Sequence, residues 1–501
     1  MNDLHEAGTE GASPVEPERG AVPAASDILD LRVGEVGALA ALRRLGVRLC
    51  EPHALLRFGG EVTAVSPAAC AVRGLERVAA LGDCVEIMRA DGGTIGGQVV
   101  RIEADAQLVK TFESEPDIRL GARVWLKGPF TIRPHESWKG RIVNALGEAV
   151  DGGPPLLPGP ERLPVERPAP PALKRARVVE GVATGVRAVD IFTPVCAGQR
   201  IGVFAGSGVG KSTFLSMLAQ APGFDSVVFA LIGERGREVR EFVEEAIGPA
   251  AMARAVGVVA TGDESPMMRR MALKTAITIA EHFRDRGEKV LLIADSVTRH
   301  AHAARDVLLA AGEAPVARGY PPGVFTELPR MLERTGPGVE GTGSITAFVS
   351  VLVDGDDHND PVADAIRGIL DGHIVLSREI AEQGRFPAID VLASVSRLAR
   401  QAWTPEQAQL VTMLKRLIAR YEDTRDLRLL GGWKPGTDEE LDRAVAWVPR
   451  IYDVLRQSPG EVTPGEDAFA ALAAALKAAE AEARQTTATP ERPPPSYPAA
   501  P

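Results

Sequence analysis

Directly behind the apolar run Arg200-Ile201-Gly202-Val203-Phe204 comes Ala205-Gly206-Ser207-Gly208-Val209-Gly210-Lys211-Ser212, and a helix-like stretch opens at Ser212-Thr213-Phe214-Leu215. A buried strand that feeds a glycine-rich loop and then a helix commits the chain to an α/β layer architecture, with the loop at the sheet edge. The same loop commits it to phosphate. Gly206, Gly208 and Gly210 let the backbone curl until the N–H groups between Gly206 and Thr213, those of Ser207 and Val209 included, point inward at phosphate oxygens. Lys211 reaches the outer phosphates, and the Ser212 hydroxyl suits Mg²⁺. The first glycine of the usual GxxxxGK[ST] pattern is Ala205 here; that position only turns the strand into the loop, so alanine is expected to be tolerated.

Around this loop the chain reads as a series of differently textured segments. Residues 1–26, rich in Glu, Gly, Pro and Ala, are expected to be disordered. An amphipathic helix with apolar positions Ile28, Leu31, Val36, Leu39, Leu42 and Leu45 is expected within residues 27–49. Short β-branched runs at 61–65, 84–88, 97–102 and 123–126, separated by turns, predict a small β-barrel ending near 134. From 135 to 402, a connector dense in proline precedes strands at 227–232, 256–260, 290–294 and 345–352, with helices at 237–246 and 266–286 between them. That alternation predicts a predominantly parallel sheet with helices on both faces. Residues 403–485 read as a helical domain and 486–501 as a Pro/Ala/Thr tail expected to be disordered.

Composition removes several function classes. A formal charge of −10 argues against nucleic acid as an obligatory partner. No uncharged apolar run of 18 residues or signal-peptide core is expected, which points to a cytoplasmic protein whose membrane contact is peripheral. Cys50, Cys70, Cys84 and Cys196 show no metal-ligand spacing and read as buried thiols. Asp354-Gly355-Asp356-Asp357-His358-Asn359-Asp360 lacks the glycine and the closing glutamate of a calcium loop, and reads as a polar turn. His300 and His302 fall on different helix faces and do not suggest a shared metal.

Hydrolysis needs an acid that holds the metal ion and a group that orients water. Asp295 ends the apolar run Val290–Ala294, where a Mg²⁺-coordinating carboxylate belongs in such a sheet; the competing role is a helix N-cap. Glu234 ends the next strand after the loop, and residue chemistry leaves open whether it orients water or merely sits in the first turn of a helix.

Longer motifs add a resemblance. Gly233-Glu234-Arg235-Gly236-Arg237-Glu238-Val239 resembles the catalytic-glutamate motif of the rotary ATPases, the family of the F-type synthase α and β subunits. Asp295-Ser296-Val297-Thr298-Arg299, Arg318-Gly319-Tyr320-Pro321-Pro322, Gly343–Ala347 and Ile369–Ser377 are similar to type III secretion ATPases, and Trp138–Glu148 with Ile451–Pro459 to their flagellar export branch. The resemblance implies a RecA-like core and ATP hydrolysis with Mg²⁺ bound by Ser212 and Asp295. It implies Glu234 as catalytic base, Arg235 and Arg299 as supports of the phosphates and site geometry, and Lys211 as a phosphate ligand. Phe386 falls where the family stacks a ring on adenine, and Arg397 in Ser394-Val395-Ser396-Arg397 where it sends an arginine finger into a neighbouring subunit's site. It further implies a homohexamer at the inner face of the membrane. The implied partners are a dimeric regulator at the N-terminus, a stalk-like protein, export-gate membrane proteins, and chaperoned substrates. His300 replaces a usual aromatic and Phe386 a frequent tyrosine. Ala205 and the secretion-type segments speak against a synthase catalytic subunit, Glu234 against a non-catalytic subunit, and the acidic charge against an RNA translocase.

Overall fold

The computed structural model describes residues 57–353, 360–461 and 467–487. The segment at 1–26, the helix and regulator contact expected at 27–49, Cys50, most of the turn at 354–360 and nearly all of the tail from 486 lie outside the described residues.

Strands β1 (Gly59–Val65), β2 (Cys70–Arg73), β3 (Asp83–Met88), β4 (Thr94–Ile102), β5 (Gln107–Thr111) and β6 (Arg123–Pro129) close into an antiparallel barrel in the order β1-β2-β5-β4-β3-β6. Closure leaves no free edge, and alternate residues such as Val85 and Ile87 or Val124 and Leu126 point inward to fill it. The predicted barrel is there; β2 and β5, both short, complete the strands that the sequence marked.

Eight further strands form the core: β7 (Arg141–Asn144), β8 (Arg200–Ala205), β9 (Ser226–Ile232), β10 (Ala255–Ala260), β11 (Lys289–Asp295), β12 (Ser344–Leu352), β13 (Gly372–Leu376) and β14 (Ile389–Ser396). Their order is β14-β13-β8-β12-β11-β9-β10-β7, and a short ninth strand, Gly336–Pro337, pairs with β12. All neighbours among the eight are parallel except β13 and β14. The connector is therefore more than a linker, because its residues 141–144 add an edge strand.

Period-two alternation divides each central strand between two cores. In β9, Val227, Phe229 and Leu231 face one layer while Val228, Ala230 and Ile232 face the other. The first layer holds α1 (Arg187–Phe192) and α2 (Lys211–Ala219), and the second holds α3 (Pro266–Arg284), α4 (Val297–Ala310) and α5 (Pro322–Leu332). The described residues after Ser396 are mainly helical, with α6 (Pro405–Asp423), α7 (Glu439–Leu455) and α8 (Ala468–Thr487). A capping box of Thr404 and Gln407 starts α6, and the Asp438 side chain caps α7. Val411, Leu414, Val448, Ile451 and Leu472 join the first layer's core, so the helical domain is seated on the same face as α2.

Candidate nucleotide site

The ends of β8, β9, β11 and β13 meet at one rim of the sheet, where α/β folds place ligands. Ala205 is the last residue of β8, paired with Leu352 and Leu376 and only 2 % exposed. It is ordinary strand, which is why alanine serves in place of the expected glycine. The loop then turns through Gly208 (φ 79°) and Gly210 (φ 90°) into α2, which begins at Lys211. Gly210 occupies the cap position in a left-handed conformation, and no side chain caps α2. The first N–H groups of α2 thus lack a side-chain partner and remain available to an anion. Val209 is buried and anchors the loop in the core, while Ser207, Ser212 and Thr213 are exposed.

Three charged groups converge beneath the loop. The Lys211 ammonium donates to the Asp295 carboxylate and lies 3.9 Å from Glu234 Oε1. Asp295 also accepts from the Ser350 hydroxyl at 2.7 Å. Ser296, not Asp295, caps α4, which removes the N-cap role that competed for Asp295. Glu234 likewise stands before the helix Gly236–Glu241, with Arg235 at the cap position, so it is not a first-turn glutamate. It is 9 % exposed, and its Oε1 is buried without a hydrogen-bond partner. Burial, followed by the charge of Asp295, pushes its carboxyl up to about 7 against the opposing pull of Lys211 and Arg299. A carboxyl tuned so close to neutrality can accept a proton during catalysis.

Arg299 holds this glutamate from α4. Its guanidinium donates to the Gly233 carbonyl and, at 3.3 Å, to Glu234 Oε2. Gly233 has φ 70°, and a Cβ there would lie 2.9 Å from Arg299 Cδ, so glycine is needed for both conformation and approach. Arg235 is elsewhere: its side chain is 82 % exposed and pairs with Glu238 at 3.5 Å. Arg397, exposed at the end of β14, donates to the Arg367 carbonyl at 3.4 Å and touches none of the groups under the loop.

A groove of about 470 Å³ opens beside the loop, lined by Gly210, Thr213, Phe214, Phe386, Gln457 and Pro459 among others. Phe386 is 45 % exposed, and a Cβ on Gly210 would lie 3.5 Å from its ring. A flat face of this kind next to a phosphate loop suits an aromatic base. The donor set nearest the loop, the Ser212 hydroxyl and the Asp295 carboxylate, is all oxygen and suits a hard divalent cation such as Mg²⁺. The orphaned Glu234 Oε1 leaves an acceptor for water.

Sequence reasoning missed two polar groups. Ser350 is a buried hydroxyl in β12, which also buries Thr346, so it carried no distinctive signal in sequence. Arg378, just after β13, donates to the Ser207 carbonyl at 3.3 Å; exposed arginines are too common for sequence to single it out. The thiols of Cys70, Cys84 and Cys196 are buried as expected, and burial pushes Cys70 up to about 11. Among the described residues no His/Cys/Asp/Glu group is arranged to hold a metal ion on its own, and no helix is long and apolar enough to cross a membrane.

Comparison with known proteins agrees with this geometry. Residues 185–396 match the ATP synthase alpha/beta family nucleotide-binding domain, and residues 403–474 the T3SS EscN ATPase C-terminal domain. The chain is 58 % identical to the flagellum-specific ATP synthase of Rhizobium meliloti over 88 % of its own length and 94 % of the relative's. The assembled ATPase EscN of the enteropathogenic E. coli type III secretion system superposes with a TM-score of 0.77 at 38 % identity, covering 83 % of this chain and all of that one. EscN in complex with its central stalk EscO gives 0.76 at 37 % identity over the same share of each chain. The chain belongs to the flagellum-specific, type III secretion ATPases of the ATP synthase alpha/beta family.

Proposed function

We propose that this chain is the ATP-hydrolysing subunit of a flagellar type III export apparatus, using ATP to assist release of chaperoned substrates and their delivery to a membrane export gate. The observation that carries the chemistry is the buried carboxyl of Glu234, held by Arg299 beside Lys211 and Asp295 at the mouth of a phosphate loop. In this reading Lys211 exchanges Asp295 for the outer phosphates, and the loop amides from Gly206 to Thr213 hold the remaining oxygens. Ser212 and Asp295 would hold Mg²⁺, which supplies charge neutralisation to the phosphates when bound. Glu234 accepts a proton from the water that attacks the γ-phosphorus as the bond to the β-phosphate oxygen breaks. Phe386 stacks on the adenine.

Arg397 acts on a neighbour's nucleotide. Its exposed position on the edge strand, away from Lys211 and Glu234 of its own chain, supports this role, as does the likeness to assembled EscN. The same likeness supports a ring, which we take to hold six copies, with a central stalk protein like EscO. Arg299 keeps its role as the support of Glu234. The exposure of Arg235 favours a part in geometry at the assembled interface over direct phosphate contact. A dimeric regulator at the N-terminal segment and a peripheral place at the inner membrane of the flagellar base belong to the same proposal.

Replacing Glu234 by Gln tests the chemistry. ATP binding should persist and turnover should fall by about 10²-fold or more, the scale on which a positioned base contributes. Unchanged turnover would remove Glu234 from the mechanism. The biological setting is tested by gene deletion, which should abolish motility; a motile strain would move the chain to a virulence-type secretion system.

A further inference from the structure

The segment that follows α7, Arg456-Gln457-Ser458-Pro459, stands out in the sequence and is used by none of the chemistry above, yet it forms one wall of the groove beside the phosphate loop. Within it Gln457 is 3 % exposed and fully engaged. Its N–H donates to the Phe386 carbonyl at 2.8 Å. Its side-chain Oε1 accepts from the Arg187 N–H at 3.0 Å, and Nε2 donates to the Gly185 carbonyl at 2.7 Å and to the Glu461 carbonyl at 3.3 Å. The first of these side-chain bonds satisfies an N-terminal amide of α1, a helix whose own cap residue, Val186, offers no side-chain acceptor. Arg187 returns a bond from its guanidinium to the Arg456 carbonyl at 2.8 Å. One glutamine thus joins the helical domain, the start of α1 and the backbone of Phe386.

We propose that Gln457 is a positioning residue for the base of the nucleotide, setting the Phe386 ring and the facing wall of the groove from the C-terminal helical domain. The inference rests on the proposed stacking of the base on Phe386. Its physical content is that the Phe386 main chain is fixed from one side by Gln457, while its ring lies against Gly210 of the loop on the other. The buried amide is held by geometry as well as energy, since leaving the Arg187 N–H or the Gly185 carbonyl unpaired costs their desolvation.

The test is steady-state kinetics on the full-length assembled enzyme, with inorganic tripolyphosphate as a competitive probe that carries phosphates and no base. Gln457→Ala should raise the KM for ATP about tenfold, leave kcat within about twofold, and leave the inhibition constant for tripolyphosphate unchanged. Gln457→Glu, which keeps an acceptor for the Arg187 N–H but sets a buried carboxylate oxygen against the Gly185 and Glu461 carbonyls, should raise the KM for ATP at least as much as Gln457→Ala. A fall in kcat at fixed KM is the pattern of a partly unfolded preparation and would overturn the role, as would a parallel rise for ATP and tripolyphosphate. Phe386→Ala separates the two layers of the argument. If it raises the KM for ATP alone and Gln457→Ala does nothing, the Gln457 role fails by itself. If Phe386→Ala is also silent, the base placement fails and takes the Gln457 role with it.

Discussion

Glu234 shows how much of a carboxyl group's character is environment. Its free carboxyl would titrate near 4.5, yet burial and the neighbouring Asp295 lift it to about 7. In the proposed mechanism the base form is the active one, so kcat/KM of the free enzyme should rise tenfold per pH unit below neutrality and level off above it, with an apparent midpoint near 7. A profile flat from pH 5.5 to 8 would contradict the assignment. The same shift bears on stability with a definite sign. The folded state holds the proton more tightly than the unfolded chain, so this contribution is present in full below about 4.5 and is lost as pH rises through 7. Glu234→Gln should accordingly stabilise the fold at pH 8, by roughly 3 kcal/mol as an isolated group, and leave it nearly unchanged at pH 4.5, as read by urea unfolding. None of this was legible in sequence, where Glu234 could equally have been a helix-start glutamate. The distinguishing facts, that the helix begins two residues later and that the carboxyl is buried, exist only in three dimensions. Lys211 and Asp295 were legible because a strand, a loop and a helix in immediate succession leave few positions for their side chains to occupy.

Elements were readable in proportion to their burial. The largely apolar runs of β8, β9, β10, β11 and β12 announced themselves, since strands covered on both faces admit few polar residues, small buried hydroxyls such as Thr346 and Ser350 among them. The antiparallel pair β13 and β14 did not, because His373, Asp390 and the exposed Leu392 and Val395 break any single period. Sequence also gave no hint of the ionic cluster that locks α3, α4 and α5 together. Glu327 of α5 accepts from Arg270, lies 3.1 Å from the Lys274 ammonium, both from α3, and stands 3.2 Å from His300 Nε2 of α4. The surrounding cations hold Glu327 well below the usual carboxylate range despite its burial, and burial keeps His300 neutral. This gives His300 a partner inside the core, and it matters to the site because the next residue back, Arg299, grips Glu234. Glu327→Ala leaves the buried Arg270 without its anion, while Lys274 keeps Glu166, and should destabilise the core by about 3 kcal/mol. A urea midpoint equal to wild type would show that the cluster contributes nothing.

At the scale of the whole molecule, the proposed role of Arg397 makes one subunit present half of each of two sites. Lys211, Glu234 and Asp295 face one way beneath the loop, while Arg397 stands exposed on the edge strand β14 with no contact to them. Association of this kind is head-to-tail, and a ring is its closed form. The arrangement makes a prediction that neither site alone could make. Glu234→Gln and Arg397→Ala should each abolish turnover while leaving assembly intact. Mixed in equal amounts and allowed to exchange, they should regain activity, because an Arg397→Ala subunit still carries Glu234 and can meet the intact Arg397 of a Glu234→Gln neighbour. In random rings roughly a quarter of interfaces would have that composition, which sets the ceiling for recovery if sites act independently. If Arg397 served its own chain's nucleotide, no mixed ring would contain a complete site and the mixture would stay inactive. Recovery would also require that the subunits exchange, so the same samples, with one variant carrying a fluorophore and the other a quencher, show whether mixed rings have formed. Quenching without recovered hydrolysis would place Arg397 outside the neighbour's site.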